Sequence, residues 1–391
     1  MEQEQKRADL ADFLEKCPDP QGRSLVPEKV DLKGMDEAEL VVFCGEMGEP
    51  AYRGRQLFSW IYGKRAADFE GMTDLPKVFR EKLAERARVG ALAPEGFEEG
   101  VDGTGKFVWR LGDGEHIESV RIPMPGREGE KRWALCISTQ VGCAMGCAFC
   151  LTAKMGFVRQ LSAGEIVEQF LAAARRLPEG ERFRSVVFMG MGEPLDNFDA
   201  TVKAVRIIVH PGGIALPPKR LTVSTVGVTP RLGEFVRAVP GVGLAVSLHA
   251  ADDSTRSRIV PVNRKWGLEG LLRACRELPA PERRRITFEY VLLKGVNDSP
   301  EDAGRLAKRL HGVRCKINLL PWNPFAGVSF ERPPEGRVEA FRGVLAGKGY
   351  TVTVRQSRGL DIRAACGQLV DEVKMAERAG KGRNSAAAPV R

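Results

Sequence analysis

The stretch Cys143-Ala-Met-Gly-Cys147-Ala-Phe-Cys150 places three cysteines in one short loop, whereas the other six of the nine in this 391-residue chain are scattered singly. Three thiolates in one loop suit a soft metal. Iron–sulfur clusters are normally held by four cysteines, so three would leave one iron of a four-iron cluster open to a substrate. The alternative is a closed, tetrahedral zinc site, which needs a fourth ligand such as Cys136 or His249.

The sequence around this loop alternates between strand-like and helix-like runs. Ala134–Ser138 is strand-like and leads into the loop, and Ser162–Arg176 is a predicted helix with Glu165 at the capping-box position. Further strand-like runs are Ser185–Met189, Arg220–Ser224, Gly243–His249, Arg285–Leu293, Cys315–Leu320 and Tyr350–Arg355. A repeated strand–helix order predicts a parallel sheet. We therefore expect an α/β fold with a partial or closed TIM-like (β/α) barrel over residues 131–358.

Polar or glycine-rich residues follow four of the predicted strands. They are Gly192-Glu193-Pro194, Ser224-Thr225, Ser247-Leu248-His249 and Asn323-Pro324. One such group alone could be an ordinary surface loop. In TIM-type barrels the active site lies at the C-terminal ends of the strands. Four groups at matching positions therefore predict a shared site.

Two accessory parts are predicted ahead of the barrel. Residues 30–92 have a helical pattern rich in Lys and Arg, which predicts a small helical RNA-binding module, with Asp36 capping its first helix. Within 97–130, two strand-like runs flank Gly112-Asp113-Gly114 and predict a β-hairpin followed by a loop. Residues 1–29 are expected to be a flexible extension, and 377–391 a disordered basic tail.

The charge balance favours a polyanionic partner. Lys and Arg total 60 against 51 Asp and Glu, which gives a net charge of +9. An excess of this kind suits nucleic acid first, although a merely soluble basic protein is the simpler alternative. No apolar run approaches the roughly 20 residues that span a bilayer, and the charged N-terminus lacks a secretory signal. We expect a cytoplasmic protein without a membrane partner.

The cysteine spacing resembles the signature of the radical S-adenosylmethionine (SAM) superfamily, whose open iron binds the methionine moiety of SAM. Gly190-Met191-Gly192-Glu193-Pro194 is similar to the motif that contacts the methionine amino group there. The segment from Gly359 through Cys366 to Leu369 resembles the C-terminal loop of the RlmN/Cfr family of RNA adenosine methyltransferases. This resemblance extends over about residues 30 to 370 and makes 359–376 a predicted catalytic loop.

The resemblance implies a role for particular residues. Cys366 matches the methyl-accepting cysteine of the family, Cys136 its second reactive cysteine and Glu118 its acidic active-site residue. A transient disulfide between Cys136 and Cys366 is implied as well. Cys143, Cys147 and Cys150 would hold one 4Fe-4S cluster, whose open position takes exchangeable SAM, and two SAM molecules would be used per turnover. The residues that match SAM contacts are Gly192, Glu193, Ser224, Ser247, Leu248, His249 and Asn323.

The resemblance also implies a reaction. The dual-specificity branch of the family methylates C2 of an adenosine in 23S rRNA, near the peptidyl transferase centre, and of the adenosine next to the anticodon in tRNAs. A reducing electron donor such as flavodoxin and a monomeric enzyme are implied too. Two alternatives remain at this point: a C8 rRNA adenosine methyltransferase of the Cfr type, and a non-catalytic, zinc-containing RNA-binding protein.

Overall fold

The structure is a computed structural model that describes residues 29–126, 131–279 and 285–370. The predicted basic tail, the end of the predicted catalytic loop and all but the last residue of the predicted N-terminal extension lie outside these ranges. Within them, no helix is both long enough and apolar enough to cross a membrane.

The helical module predicted at the N-terminus is present, and its first helix begins where the capping signal lies. Asp36 accepts a hydrogen bond from the Glu39 backbone N–H at 3.0 Å, and the Glu39 carboxylate accepts one from the Asp36 N–H at 2.9 Å. This reciprocal pair satisfies two helix-end donors and fixes the start of the helix. The elements are β1 (Val30–Asp31), α1 (Glu37–Glu46), α2 (Ala51–Phe58, followed by a π-helical turn over Ser59–Gly63), α3 (Lys77–Arg86) and β2 (Ala87–Arg88).

The predicted hairpin is also present, but it is part of a three-stranded antiparallel meander. Its strands are β3 (Ala93–Glu99), β4 (Gly105–Arg110) and β5 (His116–Met124). The sequence does not predict β3, because six of its seven residues are exposed and their pattern lacks the alternation of a half-buried strand. Backbone pairing with β4 forms this strand instead.

The barrel alternates strands and helices as the sequence predicts. It also contains one short hairpin, whose two strands lie before and after the cysteine loop. Its first half contains β6 (Arg132–Ile137), β7 (Gln140–Gly142), α4 (Leu151–Lys154), β8 (Phe157–Gln160), α5 (Ala163–Ala174), β9 (Arg182–Phe188), α6 (Phe198–Val209), β10 (Leu221–Thr225) and α7 (Leu232–Ala238). Its second half contains β11 (Gly243–Ser247), α8 (Asp253–Ile259), α9 (Leu268–Glu277), β12 (Ile286–Leu292), α10 (Pro300–Arg309), β13 (Cys315–Pro321), α11 (Glu335–Gly347) and β14 (Val352–Val354).

Ten strands form one continuous sheet in the order β14-β13-β12-β11-β10-β9-β6-β5-β4-β3. The pairs from β6 to β14 are parallel, and the meander is attached to β6 by antiparallel pairing. Among the described strands, β14 and β3 are the two edges of this sheet and do not pair with each other. The barrel is therefore partial, and the closed form of the prediction is wrong.

The N-terminal module is anchored to barrel helix α5. The Lys33 ammonium donates to the Glu168 carboxylate at 2.7 Å, and both side chains are buried. Beside them the backbones of Gly34 and Gly164 approach so closely that a Cβ on Gly34 would lie 2.4 Å from the Gly164 nitrogen. Gly34 also has φ +95°, a conformation that favours glycine. Docking of the module thus depends on two facing glycines.

We predict that Gly34→Ala destabilises the protein more than Gly48→Ala. Both glycines have positive φ, so each substitution costs about 1–2 kcal/mol in backbone strain. Only Gly34 faces a close backbone, since nothing lies within 4 Å of a Cβ built on Gly48. The overlap should cost about 1–3 kcal/mol more. Urea denaturation measures the difference, and equal midpoints for the two variants would contradict this packing.

Candidate active site

The cysteine loop is held in place by backbone hydrogen bonds from three directions. Cys143 N–H donates to the Gly156 carbonyl at 2.9 Å, Ala148 N–H to the Ile259 carbonyl at 2.9 Å, and Leu151 N–H to the Gly367 carbonyl at 2.7 Å. These partners belong to the β7–β8 hairpin, the end of helix α8 and the C-terminal segment. These three hydrogen bonds therefore hold the backbone of the loop in place.

The three loop cysteines, Cys143, Cys147 and Cys150, are half-buried and open into one cavity of about 190 Å³. Three thiols that open into one cavity suit a 4Fe-4S cluster, because in such a cluster each thiolate binds a different iron and the sulfurs need not converge on one point.

The predicted strand-end residues are brought together around this cavity. Six of the seven predicted SAM contacts line it, together with all three loop cysteines. Leu248 is the exception, because its side chain is fully buried in the hydrophobic core and does not line the cavity. The match of Leu248 to a SAM contact of the family therefore stays a prediction. The six that line the cavity are Gly192, Glu193, Ser224, Ser247, His249 and Asn323.

Glu193 is a buried carboxylate without a cationic partner. Its oxygens accept hydrogen bonds from the backbone N–H groups of Leu195 at 2.9 Å and Val226 at 2.7 Å. Burial nevertheless dominates and raises its pKa to about 7. No Lys, Arg or His of the described chain lies within 4.0 Å of this carboxylate. An ammonium group entering the cavity would supply the missing positive charge.

His249 is neutral and has a defined tautomer. Burial lowers the pKa of the imidazole to about 3. Its Nδ1 accepts a hydrogen bond from the Val291 N–H at 3.0 Å, so Nε2 carries the proton. The ring packs edge-on against Phe149 of the cysteine loop, with centroids 4.8 Å apart. His249 can therefore act as a hydrogen-bond donor in the cavity, but not as a cation.

The C-terminal segment places Cys366 at the mouth of the same cavity. Cys366 is exposed and lines both this cavity and a smaller adjoining one. Besides the bond between Leu151 and Gly367, the Thr152 hydroxyl donates to the Leu369 carbonyl at 2.7 Å. These bonds tie the segment to the cysteine loop. A thiol 216 residues beyond the end of that loop is thereby brought to the cluster site.

Cys136 lies behind Cys366, buried in strand β6. Burial raises the pKa of the Cys136 thiol to about 12, and the nearby Cys366 raises it further, while Arg355 acts in the opposite direction. Both cysteines are free thiols. The two predicted reactive cysteines are thus close enough for Cys366 to affect the pKa of Cys136. Cys136 itself does not line the cavity.

Glu118 is buried, which contradicts the usual expectation that a hairpin glutamate is a solvated charge. One carboxylate oxygen accepts a hydrogen bond from the Val370 N–H at 2.9 Å, and the other is 3.6 Å from the Lys106 ammonium. Glu118 does not line the cavity. Its carboxylate instead fixes the chain four residues beyond Cys366.

Three charged residues of the site were missed by the sequence reasoning. Arg256 is fully buried, and its guanidinium donates to carbonyls that follow strands β10 and β11. Glu289 and Arg355 line the cavity. A sequence signal existed for Glu289, because it is a charged residue in the middle of the otherwise apolar run of β12. Arg256 and Arg355 lie among other charged residues and gave no such signal.

Comparison with known proteins identifies the family. Residues 30–89 match the model "Ribosomal RNA large subunit methyltransferase N-terminal domain", and 137–307 match "Radical SAM superfamily". "Dual-specificity RNA methyltransferase RlmN" of Syntrophotalea carbinolica is 45% identical over 363 residues, which are 93% of this chain and 95% of that protein. The protein of the same name from Syntrophobacter fumaroxidans is 47% identical over 88% of this chain and 99% of its own length.

A solved structure agrees with these relatives. A radical SAM methyltransferase from Sphaerobacter thermophilus superposes with a TM-score of 0.81 and 45% identity, covering 87% of this chain and 99% of that one. The family supplies the 4Fe-4S cluster and SAM that the cavity fits. This chain therefore belongs to the RlmN family of dual-specificity RNA methyltransferases, which are radical SAM enzymes.

Proposed function

We propose that this enzyme methylates C2 of an adenosine in 23S rRNA and of the adenosine next to the anticodon in tRNAs, and that it works in the cytoplasm with a flavodoxin-type electron donor. The observation that carries the proposal is the shared cavity of Cys366 and the three loop cysteines. C2 of adenine is electron-poor and cannot attack a sulfonium methyl group, so a protein group must relay the methyl. Cys366 is the thiol placed to do so.

The loop thiolates of Cys143, Cys147 and Cys150 hold the cluster, and the Glu193 carboxylate pairs with the ammonium of SAM. When bound, SAM would supply the methyl group and the radical that abstracts hydrogen. The cluster would accept the electron that the adduct with the base gives up. Cys366 takes the methyl group on sulfur as a nucleophile. After loss of one hydrogen atom, the methylene carbon on this sulfur bonds to C2 of adenine.

Cys136 then completes the reaction. Its thiolate removes the proton from C2 and becomes a thiol. The Cys136 sulfur then attacks the Cys366 sulfur: the disulfide forms, the carbon–sulfur bond breaks, and the Cys136 proton passes to the released carbon to leave the methylated base. Methylation of Cys366 removes the contribution of Cys366 that raises the Cys136 pKa, whereas burial, the largest cause, still raises that pKa and Arg355 still lowers it.

Glu118 acts as a positioning residue in this proposal. Its hydrogen bond to the Val370 N–H and its ion pair with Lys106 tie the catalytic segment to the meander, next to the strand that carries Cys136. Both cysteines therefore keep their relative position when RNA enters.

The main test is nucleoside mass spectrometry after reaction with unmodified rRNA and tRNA. We expect 2-methyladenosine from the wild-type enzyme and none from Cys366→Ala, which keeps its cluster and still cleaves SAM. Cys136→Ala should accumulate RNA covalently attached to Cys366, because resolution is blocked. The product 8-methyladenosine would overturn the C2 assignment, and methylation by Cys366→Ala would overturn the relay.

The role of Glu118 is tested by comparing Glu118→Ala with Glu98→Ala. Both carboxylates pair with Lys106, but Glu98 is half exposed whereas Glu118 is buried. Breaking a buried ion pair costs about 3–5 kcal/mol and an exposed one less than about 1 kcal/mol. Hydrogen exchange should show loss of protection over 359–370 in Glu118→Ala alone. Unchanged protection there would remove the positioning role.

Binding of RNA by the N-terminal module is tested by its salt dependence. Arg55 is exposed, whereas Lys64 is held by Asp74 at 3.2 Å and stacks on the Trp60 ring. Arg55→Gln should weaken binding and lower the slope of log K against log salt by about 1. Lys64→Gln should have a smaller effect on binding. Lys348→Gln, at an exposed position just after α11 and outside the N-terminal module, should have none. A slope unchanged in Arg55→Gln would exclude this surface.

A further inference from the structure

A buried carboxylate oxygen in the cavity has no hydrogen-bond partner. Glu289 is 4% exposed, and its Oε1 accepts a hydrogen bond from the Asn318 amide at 3.0 Å. Its Oε2 is buried and unpaired. Leaving a buried acceptor unpaired costs about 1–3 kcal/mol, so such groups call for an explanation. Asn318 fixes which oxygen is free, and a donor on a ligand would satisfy it.

A partly buried guanidinium lies in the same cavity and is also poorly satisfied. Arg355 follows strand β14, and its side chain lines both the main cavity and the adjoining one. The hydrogen bond of its side chain goes to the Met189 sulfur at 3.6 Å, and a thioether is a weak acceptor. Within the described ranges, Arg355 and Glu289 do not form an ion pair within 4.0 Å. The cavity therefore has room for a ligand between the unpaired Glu289 oxygen, which is an acceptor, and the Arg355 guanidinium, which is a donor.

This space lies between Cys366 and the SAM-contact side of the barrel. Ser247, Glu289 and Asn318 are in register across strands β11, β12 and β13, so their side chains lie on the same face of the sheet. Arg355 and Cys366 line both the main cavity and the smaller adjoining one. A ligand that bridges Glu289 and Arg355 is therefore held close to the methyl-carrying sulfur.

We infer that Glu289 and Arg355 read the Watson–Crick edge of the flipped target adenine. This inference rests on the proposed function. Adenine presents a donor, the N6 amino group, beside an acceptor, N1, and C2 is the next ring atom after N1. Glu289 Oε2 accepts from N6–H, and the Arg355 guanidinium donates to N1. C2 then faces Cys366.

These two hydrogen bonds explain why the enzyme would select adenine over guanine and C2 over C8. Guanine would direct its O6 acceptor at Glu289 and its N1–H donor at Arg355, so both contacts would be mismatched. C8 lies on the opposite edge of the purine, away from the edge that is held. A guanidinium at N1 also withdraws electron density from the neighbouring C2, which favours addition of a carbon radical there.

The test uses wild-type holoenzyme and RNA with the target adenosine replaced by an analogue. Purine riboside lacks the N6 amino group, and 1-deazaadenosine lacks the N1 acceptor. Each should lower kcat/KM by roughly 10- to 100-fold, the effect of one unpaired buried group. The matched control is 7-deazaadenosine, which is altered only on the opposite edge and should react at the normal rate. Equal rates with all four RNAs would overturn the inference.

Glu289→Gln gives a second, independent measurement. Asn318 holds the amide oxygen in the Oε1 position, so the amide NH₂ replaces the free oxygen and faces the N6 amino group as a second donor. The variant should lose roughly 10- to 100-fold on adenosine and should no longer distinguish adenosine from purine riboside. The control is Glu339→Gln, at an exposed position paired with Arg342 on α11, which should retain the wild-type ratio.

The outcomes separate this inference from the proposed function and from a role in cosubstrate binding. If wild-type enzyme makes no 2-methyladenosine in natural RNA, the proposed function itself fails. Anaerobic equilibrium dialysis measures the Kd for SAM. If Glu289→Gln raises that Kd at least 10-fold and keeps the preference for adenosine over purine riboside, Glu289 binds the cosubstrate and the base-reading role is overturned.

Discussion

The site depends on one fully buried guanidinium, that of Arg256. It donates to the carbonyls of Val226 at 2.7 Å, Ser247 at 3.1 Å and Leu248 at 2.9 Å, and to the Asn263 amide oxygen at 2.8 Å. These carbonyls lie where strands β10 and β11 end, so a single planar group fixes two adjacent edges of the cavity. Lysine could not replace it, because an ammonium lacks the rigid fork of five donors.

The charge of Arg256 matters as much as its geometry. Burial lowers its pKa to about 10, with the Cys147 thiol acting in the opposite direction, so the group stays charged at neutral pH. No carboxylate of the described chain lies within 4.0 Å of it. A buried cation of this kind is tolerated only beside negative charge. A cluster bound by the cysteine loop would supply that charge, so the same residue shapes the cavity and would favour an anionic group in it.

Much of the fold could be predicted because its signals are local. The capping boxes at Asp36 and Ser162 are complete within four residues, and both helices begin at those residues. The parallel strands of the barrel are apolar runs separated by helices of sufficient length. Strand β3 was missed because it is exposed, and the β7–β8 hairpin because its partners are separated by the whole cysteine loop. Neither carries a local pattern of its own.

The site was predictable only where motif residues are close in sequence or match a family. The spacing of Cys143, Cys147 and Cys150 predicts a metal-binding loop directly. The burial of Glu118 could not be predicted, since its carboxylate is satisfied by Val370, 252 residues away. Such a contact exists only after the C-terminal segment has docked, and no property of the hairpin sequence indicates it.

The two carboxylates of the cavity suit different ligands for an electrostatic reason. Glu193 has backbone donors but no cation nearby, so in a medium of low dielectric its negative charge requires a permanently positive partner. Glu289 already feels the charge of Arg355, which lowers its pKa against the effect of burial. A second cation there would leave a net positive charge unpaired, whereas a neutral donor completes the hydrogen bond without adding charge. The electrostatics therefore favour the two proposed assignments, the ammonium of SAM at Glu193 and a neutral base at Glu289.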